Sequence, residues 1–343
     1  MPEDKAVPAT PPTKVDGGTV YLPAHALRLA AERIACHGLL FARVDSEEWS
    51  AIESLWMTDQ ELDLWRGVER VFAVMPYAED ASTESSTIFG RAFAAYGAIV
   101  EAARLVAPGT WIDTVHLVPV AAGNNGFNVR LTGPERPRLW AAVFGDPLKV
   151  HGRRRAWRNR VECRPLQYHL PHGPAFLLDE SRARIIETVI GNLDNLRKLA
   201  PDHGWWFANR AYQRAHDLFL PRRHRLTALF GVLEAIYGPF RREPCDAGLG
   251  VAVVAALERA GRDTSNLSAY VERELRQARN RLAHGSDLAV SIDFASVEAN
   301  LLEIVRTGLN QSLDWICGCK DSEAPRTLGA FQLTIGRVVA EED

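Results

Sequence analysis

The sequence predicts an α+β protein, with an N-terminal α+β domain that contains a small antiparallel sheet, followed by an all-α helical bundle. The sheet is indicated by short apolar runs, separated by turn residues, at 112–120, 127–132, 138–144 and 161–170. The bundle is indicated by apolar residues that recur every three or four positions from residue 178 onwards. Helices that each have one apolar face and short connections are what a bundle requires.

The N-terminal half is predicted to begin with helices. Residues 23–40 and 47–74 have mainly helical spacing, and residues 88–106 form an alanine-rich helical stretch. Among the strand runs, the Asn-Asn-Gly sequence at 124–126 is a good hairpin connection, because Asn and Gly tolerate positive φ.

These patterns divide the chain into four segments. Residues 1–18 are rich in proline and glycine and are expected to be a disordered arm. The α+β domain, whose role the sequence does not reveal, covers 19–175, the bundle covers 176–320, and a C-terminal tail covers 321–343. A chain of 343 residues with 47% hydrophobic and 24% charged residues can form two full cores.

Composition narrows the functional classes. A formal net charge of −3 gives no global electrostatic basis for nucleic-acid binding, so any such basis has to come from local clusters. No apolar run approaches the roughly 20 residues that cross a bilayer, and the N-terminus has no apolar signal segment. The five cysteines, an odd number, are scattered and do not suggest a disulfide framework. We therefore expect a cytoplasmic protein.

One short stretch combines a permanent charge with a group that titrates near neutrality. It reads Arg279-Asn280-Arg281-Leu282-Ala283-His284-Gly285, and apolar residues at helical spacing precede it. On a straight helix, five positions correspond to roughly 500° of rotation, so the side chains of Arg279 and His284 diverge by about 140°. They converge only if the helix ends before His284 or if a second copy of the chain supplies one of them.

Arg279, the polar Asn280 after it and the His-Gly pair at 284–285 resemble the signature of the HEPN superfamily, an arginine followed after four to six residues by a histidine. The stretch 229–236, Leu-Phe-Gly-Val-Leu-Glu-Ala-Ile, resembles the Leu-Glu-Ala helix of the Apea-like branch. The resemblance covers about residues 180–318. It implies a metal-independent endoribonuclease that acts on RNA as a homodimer, with two motifs face to face. It also suggests a bacterial toxin or anti-phage defence effector that the N-terminal half controls.

The residue types suit the chemistry that this resemblance implies. RNA carries its own nucleophile, the 2′-hydroxyl, so cleavage needs a base for that proton and an acid for the leaving 5′-oxygen. We expect His284 to be the general acid or base, because histidine has an unperturbed pKa of about 6.5. Arg279 is expected to bind the phosphate, and Asn280 to orient an oxygen or hold the loop. Glu234 is expected to pair with Arg279 or the imidazole, or to be an ordinary exposed glutamate.

Spacing alone is not specific, because other pairs in the chain fit the same template: Arg164/His169, Arg197/His203 and Arg210/His216. Proline interrupts the first two, whereas the third lies in a continuous helical pattern. For Arg279 and His284, the alternative is a structural role as a helix-end salt bridge and a C-capping histidine. The protein would then be a non-catalytic HEPN-fold module for RNA binding or dimerisation.

Two basic stretches are further candidates for anion contacts. Residues 136–164 contain nine basic residues against two acidic ones, with two tryptophans among them, which suits phosphate contact and base stacking. We expect Arg153, Arg154 and Arg155 to bind substrate; the alternatives are a solvated loop paired with acidic residues and an RNA-binding adaptor without cleavage. The run at 222–225, Arg-Arg-His-Arg, begins a helix, where cations are unfavourable, so an anion or an acidic partner is expected.

No metal, nucleotide or other cofactor is expected. The Cys317-Gly-Cys319 sequence has no second cysteine pair at zinc spacing. The sequence also has no glycine-rich phosphate loop and no Gly-x-Ser-x-Gly element of a serine hydrolase.

Overall fold

The computed structural model describes residues 17–24, 27–44, 69–78, 85–107, 120–123, 126–130, 175–216, 221–238, 249–284, 292–318 and 326–332. The fold class is α+β, as predicted, with a small antiparallel sheet followed by a mostly helical C-terminal region. The chain divides into two compact units, Met1–Ala103 with Thr110–Glu187 and Arg104–Gly109 with Thr188–Asp343. The predicted domain boundaries stay predictions. Of the arm predicted for residues 1–18, residues 1–16 lie outside the described residues.

The first unit contains a six-stranded antiparallel sheet in the order β3-β4-β5-β1-β6-β7. Its strands are β1 (Gly17–Pro23), β3 (Arg33–Cys36), β4 (Leu39–Arg43), β5 (Val71–Ala78), β6 (Val120–Gly123) and β7 (Gly126–Arg130). A separate parallel pair is formed by β2 (Leu27–Leu29) and β8 (Phe176–Leu178). Because β6 and β7 pair antiparallel across 124–126, the predicted hairpin is confirmed. The runs predicted at 138–144 and 161–170 lie outside the described residues.

The helices predicted within 23–40 and 47–74 are wrong wherever the structure describes those residues, which form β2, β3, β4 and the start of β5. The physical reason is a period of two along short strands, in which buried residues alternate with more exposed ones: Leu27 and Leu29, Ile34 and Cys36, Leu39 and Phe41. His37 and Gly38 connect β3 to β4 with φ values of 46° and 76°, as a two-residue hairpin turn requires.

Two helices cover buried parts of this unit. The alanine-rich stretch forms α1 (Ser85–Val106), as predicted, and its Tyr96 ring lies 6.2 Å from the ring of Phe41 in β4. Helix α2 (Glu180–Leu199) begins here, where the Cys36 thiol lies 3.8 Å from the Ala183 carbonyl oxygen. Burial, helped by the charge of Glu187, raises the pKa of Cys36 to about 12, so this thiol is a packing group.

The second unit is helical from the later part of α2 onwards. Its further helices are α3 (Gly204–Ala215), α4 (Arg222–Tyr237), α5 (Leu249–Arg259), α6 (Leu267–Tyr270), α7 (Arg276–His284) and α8 (Phe294–Cys317). A π-helical turn at Val271–Leu275 joins α6 to α7. The apolar stripes predicted from residue 178 onwards are buried in these helices, which confirms the prediction of helices in this half.

Helix α8 packs closely against α4 at a glycine. The buried hydroxyl of Tyr237 in α4 donates to the Ile304 carbonyl at 3.0 Å. A Cβ atom placed on Gly308 would overlap that hydroxyl and contact Ile236. Residue 308 therefore has to be glycine for α4 and α8 to approach this closely.

We expect Gly308→Ala to lower the free energy of unfolding by about 1–3 kcal/mol, because overpacking displaces the Tyr237 ring from a filled core. Gly231→Ala in α4 is the matched control, since a Cβ there meets no atom of the described chain within 4 Å. The control should raise stability by about 0.5–1 kcal/mol through helix propensity. Chemical denaturation measures both, and equal signs would contradict this account.

Candidate functional site

Arg279 lies on a helix whose apolar face is fixed in the core. Val271, Leu275, Ala278 and Leu282 are buried at spacings of four, three and four, which confirms the predicted stripe. Helix α7 continues through His284, its last residue, of which only the backbone is described. The possibility that the helix ends before His284 is therefore wrong.

The Arg279 guanidinium is held by a carboxylate of α4. Its Nε atom lies 3.0 Å from Oε1 of Glu234, which confirms that Glu234 pairs with Arg279. Oε1 accepts no hydrogen bond within the described structure, so this contact is an ion pair without good N–H direction. The Arg279 side chain is 42% exposed and Asn280 is exposed beside it, so solvent reaches both groups. A guanidinium in this setting can bind phosphate oxygens.

The basic run at the start of α4 has its acidic partner inside the chain. Glu298 of α8 accepts from Arg225 at 2.6 and 3.1 Å and lies 3.2 Å from Arg222. Arg223 donates to the Leu282 carbonyl at 3.0 Å, in the last turn of α7. The sequence indicated the unfavourable charge at this helix start but not Glu298, because a partner 73 residues away leaves no local signal.

In two of the three other Arg–His pairs the histidine has a structural role. His203 precedes α3: its Nδ1 atom accepts from the Trp205 N–H at 3.1 Å, and Nε2 donates to the Arg326 carbonyl at 3.0 Å. Arg197 pairs with Asp194 at 2.8 Å. Arg164 and His169 lie outside the described residues.

His216 is a core histidine. It is 6% exposed, its Nδ1 atom donates to the Tyr212 carbonyl at 3.0 Å, and its ring packs edge-on against the Tyr212 ring. Burial lowers the pKa of His216 to about 3, with a further contribution from the Arg104 charge. A ring that stays neutral and enclosed cannot exchange protons with a substrate at neutral pH, so Arg210/His216 is no catalytic pair.

The described residues do not include Arg153, Arg154 and Arg155, which the sequence predicts to bind substrate. A groove of about 910 Å³ runs between α6 and α8 and is lined by Tyr270 and Asn300 among others, but not by Arg279.

In the part of the chain that the structure describes, no three His, Cys, Asp or Glu side chains are grouped to hold a metal ion. None of the described helices is long and apolar enough to cross a membrane.

His216 gives a pH prediction. The folded pKa of His216 lies below the unfolded value of about 6.5. The neutral ring therefore contributes fully to the free energy of unfolding above that pH, and this contribution is lost as the pH falls toward 3. Between pH 7.5 and 5.5 this one group should lower the free energy of unfolding by about 1.4 kcal/mol.

Replacement of the ring by a shape-matched apolar one, His216→Phe, should remove that part of the pH dependence. Chemical denaturation at both pH values measures the difference between wild type and variant. Leu226→Ala provides the control, since it disturbs the buried core without removing a titratable group and should lower the free energy of unfolding equally at both pH values. An identical pH dependence in wild type and His216→Phe would contradict the burial argument.

Comparisons of this chain with protein-family models, with curated proteins and with solved structures found no match. The α+β class therefore rests on the structure itself. The functional interpretation rests on the side chains described above, chiefly Arg279, Glu234 and Asn280.

Proposed function

We propose that this protein is a metal-independent endoribonuclease of the HEPN type, acting as a homodimer and serving as a toxin or anti-phage effector. The observation that carries the proposal is the exposure of Arg279 together with its pairing to Glu234. The Arg279 side chain is 42% exposed, its guanidinium is held on the Nε side by Glu234, and the exposed Asn280 follows it. The Arg–His motif thus stands at the end of a well-anchored helix, which suits a role in binding a polyanion.

In the proposed reaction the 2′-hydroxyl of a ribose attacks the adjacent phosphorus, and the bond to the 5′-oxygen breaks. His284 removes the 2′ proton or protonates the leaving oxygen, and water makes the other proton transfer. Arg279 binds the phosphate oxygens as negative charge increases on them. The products are a 2′,3′-cyclic phosphate and a 5′-hydroxyl, so atoms and charge balance without a metal or cofactor.

A second candidate is a non-catalytic RNA-binding or dimerisation module. It is favoured by the two contacts that fix α7 to α4, the Arg279–Glu234 ion pair and the bond from Arg223 to the Leu282 carbonyl. If holding α7 is all that Arg279 does, its loss changes stability or dimerisation while cleavage is never seen.

Arg279→Ala and His284→Ala should each reduce RNA cleavage by about 100-fold or more, the usual effect of losing a general acid–base or a charge-stabilising group. Both variants should stay folded, because a partly exposed ion pair contributes only about 0–1 kcal/mol. Gel analysis of a labelled single-stranded RNA in EDTA measures cleavage, and the cyclic phosphate end identifies the reaction.

Arg259→Ala and His224→Ala are matched controls, because they remove an exposed arginine and an exposed histidine outside the motif. They should cleave like wild type. Equal cleavage by wild type and by both motif variants would refute the nuclease. Loss of dimer or of melting temperature in Arg279→Ala, with no cleavage by wild type, would support the second candidate.

A further inference from the structure

Helix α3 exposes an aromatic ring on an otherwise basic face. Phe207 is 75% exposed, the largest value among the large apolar side chains that the structure describes as exposed. Arg210 and Arg214 are exposed as well. At 100° per residue the three side chains lie within an arc of about 60°, so they form one stripe along the helix. We call Phe207, Arg210 and Arg214 the α3 stripe.

The opposite face of α3 makes this stripe rigid. Trp205, Asn209 and Tyr212 are fully buried, and the Tyr212 hydroxyl donates to the Arg104 carbonyl at 2.7 Å. The Trp205 indole donates to the Ser312 hydroxyl at 3.1 Å. A helix anchored in this way presents its outer side chains from a fixed backbone, so that binding carries no cost of ordering the main chain.

The charges of the stripe select a polyanion. Helix α3 contains no acidic residue, and neither Arg210 nor Arg214 forms an ion pair with another residue of the described chain. An exposed aromatic ring beside arginines is the combination that binds single-stranded nucleic acid, through base stacking and phosphate contact. A second copy of the chain fits less well, because a two-fold contact through Phe207 would bring the arginines of both copies together.

We propose that the α3 stripe is a binding site for single-stranded RNA, separate from the Arg279 motif, with a base stacked on Phe207 and phosphates on Arg210 and Arg214. This inference rests on the proposed function, because it specifies that the RNA substrate is single-stranded. A site of this kind positions RNA with little sequence preference, since every base has a face that stacks.

The test is the affinity of the full chain for a fluorescent single-stranded RNA, by anisotropy, in the His284→Ala background so that cleavage cannot consume the probe. Phe207→Ala and Phe207→Leu should each weaken binding roughly fivefold or more, whereas Phe207→Trp should retain it, because stacking needs an aromatic face. The double variant Arg210→Ala/Arg214→Ala should lower the slope of log K against log salt by about 1.4.

Leu199→Ala and Arg259→Ala are controls that remove an exposed apolar and an exposed basic side chain from α2 and α5, and they should bind like the background protein. A duplex of the same sequence should be little affected by changes at Phe207. Unchanged binding by Phe207→Ala and Phe207→Leu would overturn the proposal. Light scattering adds a second way to overturn it: a dimer that dissociates in Phe207→Ala with RNA affinity intact would assign the stripe to a second copy.

This test and the cleavage test fail separately. If wild type never cleaves RNA but the Phe207 variants lose binding, the α3 stripe stands and the nuclease falls. If wild type cleaves and Arg279→Ala does not, while the Phe207 variants bind and cleave normally, the nuclease stands and the α3 stripe falls.

Discussion

A buried positive charge determines how the helical unit is arranged. Arg306 of α8 is 5% exposed, and an isolated cation at that depth would cost several kcal/mol. Its guanidinium is compensated by Glu303 at 2.7 Å and by the carbonyls of Leu105 and Val106 at 3.3 and 3.2 Å. These carbonyls end α1, where a cation also interacts favourably with the helix dipole. The last turn of α1 is therefore held to α8 by hydrogen bonds from a buried guanidinium whose charge Glu303 balances.

The same helix provides the frame for the candidate site. Glu298, two turns before Arg306, binds Arg222 and Arg225 and so fixes the start of α4. Gly308 admits Tyr237 and fixes its end. Helix α4 in turn holds α7 at both the Arg279 guanidinium and the Leu282 carbonyl. The position of Arg279 thus depends on α8 through the contacts that α8 makes with α4.

The sequence predicted the helical half well because most helices there, such as α2, α4 and α8, are long enough for several repeats of an apolar stripe. It failed for β2 to β5, where strands of three to eight residues offer too few positions to distinguish a period of two from 3.6. At the site, the sequence singled out Glu234 as a partner of Arg279 or of the imidazole because it flanks an apolar stripe, and the structure decides for Arg279. The pairing of Arg225 with Glu298 was not, since it depends on tertiary packing. His216 shows the converse, because its Arg–His spacing fits the same template and its role as a core histidine is evident only from its burial.

The continuity of α7 has a consequence for the proposed reaction. Residues 276–284 form one helix, so Arg279 and His284 differ by roughly 500° of rotation and a rise of about 7.5 Å. The two positions therefore lie about 140° apart around the helix axis. Two positions so far apart on one helix face different directions. If the chain cleaves RNA with this pair, the arginine and the histidine that act on one phosphate come from different copies of the chain. Mixing Arg279→Ala with His284→Ala protein should then restore activity, since each mixed dimer retains one complete site.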